Sequence, residues 1–401
     1  MSYSIIDDGH ISSPLGFRAT GVSAGLKEQR ARDLALIYSQ QPCRVAAVFT
    51  SSALPAAPIF FNQAVLSRNR EALRAVLINA GHANAATGPH GLTHAVECAK
   101  MVADELEIPR DGVLLLSNGI AGAPLPMPKM RTGIRRAASE LDSGGGRRAA
   151  LAIQLGDARP KERALRIGLG GGRTVTLAGI ASGLRIGQLG GNATLAVLTT
   201  DAQIDMRLLT RSLEQSVTRW FGRLLIDSDN TPGDAVLLFA NGTADATPIA
   251  ETDVWAWAAW QEALDALCAD LAIQIARDAA PGGRLIHFAV RGAASDAIAR
   301  QLAAALARSR GARWALGRGQ ADCSAMLAVV GACGIEVRPD LIELHIGRSQ
   351  VLADGTLRAA APDALATALA APEIDIVLDL HLGSGQAVVT TCTLGGSAAD
   401  D

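Results

Sequence analysis

Thr194 has a setting that suggests covalent chemistry, because it follows the segment Gly190-Gly191-Asn192-Ala193. Adjacent glycines permit backbone angles that other residues cannot adopt. A threonine hydroxyl beside a strained peptide bond can add to the preceding carbonyl, and water then cleaves the resulting ester. The new N-terminal Thr has an α-amine with a pKa of roughly 7.7–8.0, which can act as a general base for its own hydroxyl. Composition alone nevertheless favours a simpler interpretation, a glycine turn that leads into a strand.

A second candidate is segment 117–126, where an apolar strand ends at Asn118-Gly119 and two prolines follow. Glycine at a strand end allows a backbone N–H to point into a cleft, and an oxyanion hole needs this geometry. A plain glycine turn explains the same residues, so both interpretations stay open.

Three other motifs favour structural roles. His90 and His94 stand four apart on a predicted helix, but no third ligand has a suitable spacing, so we predict no metal site. The glycine-rich stretch 168–172 lacks a following helix and a GK[ST] motif, which favours a hairpin turn over a phosphate loop. The tryptophans predict packing at the start of a helix rather than a ligand cage; they are Trp255, Trp257 and Trp260.

The elements that must position these groups follow from hydrophobic periodicity. Short apolar runs predict strands at 44–52, 74–81, 112–119, 285–292, 341–347 and 374–383, and a hairpin over 163–180. Helical spacing predicts helices at 91–108, 262–279 and 296–309, the last capped by Ser295. Segment 141–154 is interpreted as a loop that passes into an apolar run. Alternating strands with paired long helices indicate a layered α+β fold with sheets packed between helices.

Composition excludes several classes of function. The formal net charge is −2 and aromatic residues make up 3%, so neither a nucleic-acid partner nor an anionic membrane is expected. No run approaches the ~18 apolar residues that span a bilayer. Six scattered cysteines without a CxxC pair are typical of a reducing compartment, and the first residues do not form a signal peptide. We therefore expect a cytoplasmic protein.

Several stretches together resemble the ornithine acetyltransferases, the glutamate N-acetyltransferase family of arginine biosynthesis, in order and approximate spacing. They are GFRATGVSAGLK (16–27), DLALIYS (33–39), AVFTSSALPAAPI (47–59), VLINAGHANAATGPHGL (76–92), VLLLSNGIAGAPLPM (113–127), ARPKERA (158–164), NATLAVLTTDA (192–202), DSDNTPGDAVLLFANG (227–242) and VRGAASDAIAR (290–300). The resemblance implies a four-layer αββα sandwich related to the self-processing aminopeptidases. It also implies an α chain (1–193) and a β chain (194–401) from one precursor, assembled as α2β2 or higher, with no cofactor.

The resemblance assigns chemical roles to the two candidate segments. The family precursor cuts itself at an Ala-Thr bond, which matches Ala193-Thr194, and the new N-terminal Thr is the nucleophile. The family's oxyanion-hole pair Thr-Gly falls at Asn118 and Gly119. Asn118 departs from that pattern, although its side-chain amide can still donate a hydrogen bond.

The substrate-binding positions depart further from the family. A family Lys falls at Ser182, although Arg185 can reach the same space, and the family's T-T-D-T becomes 155–158 with Asp157 retained. A substrate-recognising acidic residue falls at Ala280, P-N-W-G-R is replaced by 321–325, and the family's C-terminal substrate-binding residues are missing. The loop before Thr194 is also one residue longer.

The resemblance, with Thr194 and Gly119 retained, implies a self-cleaving acyltransferase, and the changed binding positions favour an altered specificity. Its small-molecule partners would be an N-acyl amino acid donor, similar to N-acetylornithine, and an amine acceptor, similar to glutamate. Two alternatives remain: an amidohydrolase or aminopeptidase that uses the same Thr with water as acceptor, and a non-catalytic binding subunit.

Overall fold

A computed structural model describes residues 2–27, 31–183, 194–226, 231–279, 282–358 and 361–394. The chain divides into two compact units. The first unit comprises Met1–Phe221 and Asn230–Ile275, and the second comprises Gly222–Asp229 and Ala276–Asp401.

In the part of the chain that the structure describes, the first unit is built on nine strands, arranged in two sheets that share one long strand, and on the helices that cover those sheets. Its strands are β1 (Tyr3–Ile5), β2 (Phe17–Val22), β3 (Leu34–Phe49), β4 (Leu73–His82), β5 (Val113–Ile120), β6 (Lys161–Gly170), β7 (Arg173–Ser182), β8 (Leu195–Thr200) and β9 (Ala235–Ala240). Its helices are α1 (Ala57–Arg68), α2 (Gly88–Leu106), α3 (Met127–Ser139), α4 (Gly146–Ala152), α5 (Met206–Arg219) and α6 (Val254–Ala279), the last of which ends in the second unit. Short 3-10 turns form at Arg110–Gly112 and Phe221–Arg223.

Strand β3 joins two sheets, since its first part pairs with β2 and β4 and its second part pairs with β9. The strand order is β1-β6-β7-β8-β9-β3-β4-β5, with β2 on the other side of β3. Within it, β7 and β8 are antiparallel, whereas β8 and β9 are parallel, as are β4 and β5.

Successive residues of the central strands point into different cores, which explains their unbroken apolar runs. Ile37 and Ile78 face a core shared with Val197 of the other sheet. Their neighbours Leu36 and Leu77 face a core built with α2 and α3.

Helix α6 covers the outer face of the other sheet, because a side chain added at Gly179 of β7 would meet Leu267 and Leu271. The layers are therefore helix, sheet, sheet and helix. The αββα sandwich implied by the resemblance is confirmed in this unit.

The second unit has a six-stranded sheet with helices packed on it. The strands are β10 (Leu285–Ala293), β11 (Glu343–Ile346), β12 (Ser349–Ala353), β13 (Thr356–Leu357), β14 (Glu373–Asp379) and β15 (Gly385–Cys392), in the order β13-β12-β11-β14-β10-β15. The helices are α7 (Asp296–Arg308), α8 (Arg310–Gly317), α9 (Cys323–Ala332) and α10 (Pro362–Ala370). The alternating residues Ile374, Ile376 and Leu378 lie in its core, as the sequence pattern predicts.

The predicted elements are present, but several of their boundaries differ. The first predicted strand is the second half of β3, which begins at Leu34. The helix predicted at 262–279 begins at Val254, because the Asp253 carboxylate accepts a hydrogen bond from the Ala256 N–H at 3.1 Å and caps an extra two turns. Segment 141–154, interpreted as a loop that passes into an apolar run, contains α4 in its second part. Ser295 caps α7 by accepting from the Ile298 N–H, as predicted.

The glycine-rich stretch forms the turn between β6 and β7, where Gly170, Gly171 and Gly172 have φ of 83°, 60° and 77°. The hairpin prediction is confirmed. The tryptophans behave differently from one another: Trp260 is fully buried and donates to Ser212 Oγ at 3.2 Å, whereas Trp255 is 66% exposed. Among the helices that the structure describes, none is long and apolar enough to cross a membrane.

Candidate active site

Thr194 lies directly before β8, with both of its backbone polar groups bonded to the start of β9. Its N–H donates to Asp234 Oδ1 at 2.7 Å, and its carbonyl accepts from the Ala235 N–H at 3.0 Å. The parallel pairing of Leu195 with Ala235 continues this arrangement into the sheet. The nitrogen of the predicted scissile bond is therefore held by a carboxylate.

Asp234 is half-buried and collects three donors. Besides the Thr194 N–H, its carboxylate accepts the Thr231 hydroxyl at 2.7 Å and the Thr231 N–H at 2.9 Å. Its own carbonyl accepts the Thr50 N–H at 2.8 Å, which fixes the backbone. Loss of water raises the pKa of the Asp234 carboxyl, and the three hydrogen bonds oppose that rise. Sequence analysis did not single out Asp234. The only local signal is that Asp234 ends the turn-like sequence Thr231-Pro-Gly-Asp, directly before the apolar strand β9.

Gly119 occupies a position that only glycine can fill. It pairs with Gly81 across the parallel strands β4 and β5, and its φ is +135°. A Cβ added there would lie 2.2 Å from the Gly81 carbonyl carbon, far inside van der Waals contact. The close approach of the two strands therefore requires glycine at position 119, and its role in an oxyanion hole stays a prediction.

Asn118, Ser182 and Asp157 form one hydrogen-bonded chain. The fully buried Asn118 donates from Nδ2 to Ser182 Oγ at 3.5 Å, and the Ser182 hydroxyl donates to Asp157 Oδ2 at 3.0 Å. Ser182, the middle member of this series, pairs with Leu195 across β7 and β8. The hydrogen-bonded residues therefore lie beside the residue that follows Thr194.

Lys161 neutralises the Asp157 carboxylate. Its Nζ bonds to Asp157 Oδ1, and both side chains are only 2% exposed. The Leu155 N–H donates to the other carboxylate oxygen at 2.7 Å. The matching stretch 158–164 contained Lys161, but burial of the pair could not be read from spacing.

Lys27 is a second cation close to this cluster. Its Nζ donates to the Arg32 carbonyl at 2.8 Å and to the Ala152 carbonyl at 3.3 Å. Burial lowers the pKa of Lys27 to about 8, and the nearby carboxylates of Asp33 and Asp157 oppose that shift.

The structure thus joins Asn118, Ser182 and Asp157 by direct hydrogen bonds and brings Thr194 next to them through strand pairing. Gly119 follows Asn118 in β5. The remaining predicted site residues lie outside the described residues; they are Ala193, Arg185 and Ala280. Within the described ranges, no group of three or more His, Cys, Asp or Glu side chains is arranged to hold a metal ion.

Known proteins are similar to this one over nearly the whole chain. The ArgJ family model matches residues 18–397. An arginine biosynthesis bifunctional protein ArgJ from Symbiobacterium thermophilum is 35% identical over 391 residues, covering 96% of each chain. The protein of the same name from Mycolicibacterium paratuberculosis is 36% identical over 392 residues, covering 96% of this chain and 93% of the relative.

Two solved structures are similar to about half of the chain. A crystal structure of arginine biosynthesis bifunctional protein ArgJ from Bacillus halodurans is 30% identical, with a TM-score of 0.43, and covers 48% of this chain and 98% of its own. The ornithine acetyltransferase from Mycobacterium tuberculosis, in complex with ornithine, is 33% identical, with a TM-score of 0.42, and covers 48% and 100%.

Proposed function

The chain belongs to the ArgJ family, the ornithine acetyltransferases, and on that premise we propose that it is a self-processing acyltransferase with Thr194 as nucleophile. Cleavage of the bond between Ala193 and Thr194 divides the chain into an α chain (1–193) and a β chain (194–401). As the resemblance implies, the two chains assemble as α2β2 or a higher oligomer. An N-acyl amino acid donates the acyl group, and an amine accepts it.

Transfer proceeds in two steps through an acyl-Thr ester. The Thr194 hydroxyl attacks the donor's acyl carbon while the α-amine takes its proton. The oxyanion is stabilised by the Gly119 N–H and the Asn118 side-chain amide. The leaving amine takes the proton, and the acceptor amine then reverses these steps, which gives ping-pong kinetics.

The observation that carries this proposal is the convergence of three strand ends. Asn118 lies two residues before the end of β5, Ser182 ends β7, and Thr194 directly precedes β8. Asn118 and Ser182 are hydrogen-bonded, and Ser182 pairs with Leu195. Acyl transfer needs a nucleophile and oxyanion donors around one reacting carbon, and this strand arrangement supports such a site. The glycine requirement at Gly119 is compatible with the same conclusion, because an oxyanion hole can use a backbone N–H at a position without a side chain.

Altered specificity is the second part of the proposal. At Ser182 the family pattern expects a lysine, and here the hydroxyl donates to Asp157, whose charge Lys161 already balances. No cation stands at position 182 to bind a substrate carboxylate, and loss of such a contact changes substrate preference by several kcal/mol. We therefore infer a donor and acceptor that differ from N-acetylornithine and glutamate in charge at one end.

Intact-mass measurement tests the nucleophile. We expect the purified protein to contain two fragments that divide between residues 193 and 194, and Thr194→Ala to remain one chain of 41.4 kDa. Thr194→Ser keeps a hydroxyl and serves as the matched control, so it should cleave. A wild-type protein that stays intact would refute the proposal and favour a non-catalytic subunit.

Acyl release separates transfer from hydrolysis. A panel of N-acetyl amino acids is offered with and without amine acceptors that include glutamate. Acceptor-dependent loss of donor supports the transferase, whereas free acetate at a rate unaffected by every acceptor identifies an amidohydrolase. N-acetylornithine with glutamate as the best pair would contradict altered specificity.

A further inference from the structure

We propose that Asp234 is a catalytic residue of self-cleavage: its carboxylate holds the nitrogen that leaves the scissile bond and then pairs with the α-ammonium group of Thr194. This inference rests on the proposed function, since it assumes that the bond before Thr194 is cut.

The contact is direct, because the hydrogen bond at 2.7 Å joins Asp234 Oδ1 to the nitrogen whose bond to carbon must break. The carboxylate cannot swing away freely. Thr231 grips both of its oxygens through its N–H and its hydroxyl, and the Thr50 N–H holds the Asp234 carbonyl. Asp234 is therefore preorganised against a reacting atom.

Cleavage proceeds by an N-to-O acyl shift followed by hydrolysis of the ester. Thr194 Oγ forms a bond to the carbonyl carbon of residue 193, and the bond from that carbon to the Thr194 nitrogen breaks. The hydroxyl proton passes to the nitrogen, which becomes an amine and takes a second proton from water. Water then adds to the ester carbon, returns a proton to Oγ and releases the carboxylate of residue 193 with a proton.

The surroundings of Asp234 favour the products of this shift. The donors that the described residues bring to the carboxylate are uncharged: the Thr194 and Thr231 N–H groups and the Thr231 hydroxyl. A carboxylate removed from water gains most when a donor becomes cationic. Cleavage converts the Thr194 amide nitrogen, which already donates to Asp234 Oδ1, into a cationic ammonium group.

The first test compares two carboxylates of the same sheet. Asp201 follows β8, is buried, and accepts the Leu15 and Thr176 N–H groups at 3.0 and 2.7 Å, but it has no contact with Thr194. Chains made by cell-free synthesis are followed by mass as they cleave. We expect Asp234→Asn to slow cleavage by roughly 10- to 100-fold, as expected for loss of a hydrogen bond to a charged group, and Asp201→Asn to cleave at the wild-type rate.

The second test uses the pH dependence of cleavage and keeps the carboxylate. Thr231→Val removes a donor that favours ionised Asp234, so the pKa of that carboxyl rises further. Cleavage needs the ionised form of Asp234, so the cleavage rate should fall at low pH. In Thr231→Val this fall should occur at a higher pH than in wild type, whereas in Thr231→Ser, which keeps the hydroxyl, it should occur at the same pH. This test remains available if Asp234→Asn does not fold, as judged by circular dichroism.

The outcomes separate the two proposals. Wild-type protein that never cleaves overturns the proposed function. Wild-type protein that cleaves together with a folded Asp234→Asn chain that cleaves equally fast overturns only the role of Asp234. A fall in the cleavage rate of Thr231→Val at the same pH as in wild type overturns it as well.

Discussion

Replacement of Lys161 by Met should strongly destabilise the first unit. The Lys161 ammonium and the Asp157 carboxylate are both 2% exposed and stand four residues apart. Lys161→Met keeps an unbranched side chain of similar length but leaves the Asp157 charge without this cation. A buried carboxylate that loses its partner carries an uncompensated desolvation cost.

The size of the loss follows from the remaining contacts. Removal of one partner of a buried ion pair costs about 3–5 kcal/mol. Asp157 still accepts from the Leu155 N–H at 2.7 Å and the Ser182 hydroxyl at 3.0 Å, so we expect the lower end, about 3 kcal/mol. The double variant Lys161→Met/Asp157→Asn lacks both charges of this pair and should recover about 1–2 kcal/mol.

Denaturant unfolding followed by tryptophan fluorescence measures this loss. Four of the tryptophans lie in the first unit, so the signal reports mainly on that unit. Thr194→Ala serves as the background, so that every chain stays in one piece. The matched control is Arg136→Met, which breaks an exposed pair with Glu140 at the same four-residue spacing and should cost about 0.3–0.5 kcal/mol.

Two results would refute this reasoning. Lys161→Met could cost no more than Arg136→Met, in which case the pair is not buried in solution. Alternatively, the double variant could lose the sum of the two single losses, in which case the two charges do not interact.

Two further predictions concern single side chains. Gly119→Ala should abolish soluble protein, because its Cβ would lie 2.2 Å from the Gly81 carbonyl carbon, whereas Gly122→Ala, also at positive φ but in open space, should stay soluble and lose about 1–2 kcal/mol. Equal soluble yields would contradict the close strand contact. Burial lowers the pKa of Lys27 from 10.5 to about 8, so between about pH 8 and 10.5 the unfolded chain binds more protons than the folded chain. The free energy of unfolding of wild type should therefore rise relative to that of Lys27→Met as pH increases through this range. Denaturant unfolding at about pH 7 and pH 10 checks this, and a constant difference would contradict it.

The sequence was informative where one local pattern decides the structure. Apolar runs such as 74–81 located the strands, and Ser295 located the start of α7. The long strand β3 was missed in part, because Gln40, Gln41 and Pro42 interrupt its apolar pattern at the point where it leaves one sheet for the other. Residues alone also did not distinguish Thr194 from Thr199 and Thr200; the family resemblance did.

The interactions that sequence analysis missed all depend on residues that are distant in sequence or on burial. Asp234 meets Thr194 across 40 positions of sequence through the parallel pairing of β8 and β9. Ser182 meets Asp157 across 25 positions, and Lys161 matters because its pair is buried. Neither strand pairing nor burial of one ion pair can be read from spacing.

The order of the strands also gives processing a meaning beyond activation. Strands β8 and β9 lie between β7 and β3, so the sheet alternates between segments before and after residue 194. Thr194 reaches Asp234 only after β8 and β9 have paired. If cleavage occurs as proposed, every cleaved chain is one in which the central strands β8 and β9 have paired, and cleavage cannot be reversed by later unfolding. The ratio of fragments to precursor in a cell extract would then report folding yield, and a destabilising mutation anywhere in the sheet would appear as uncut chain.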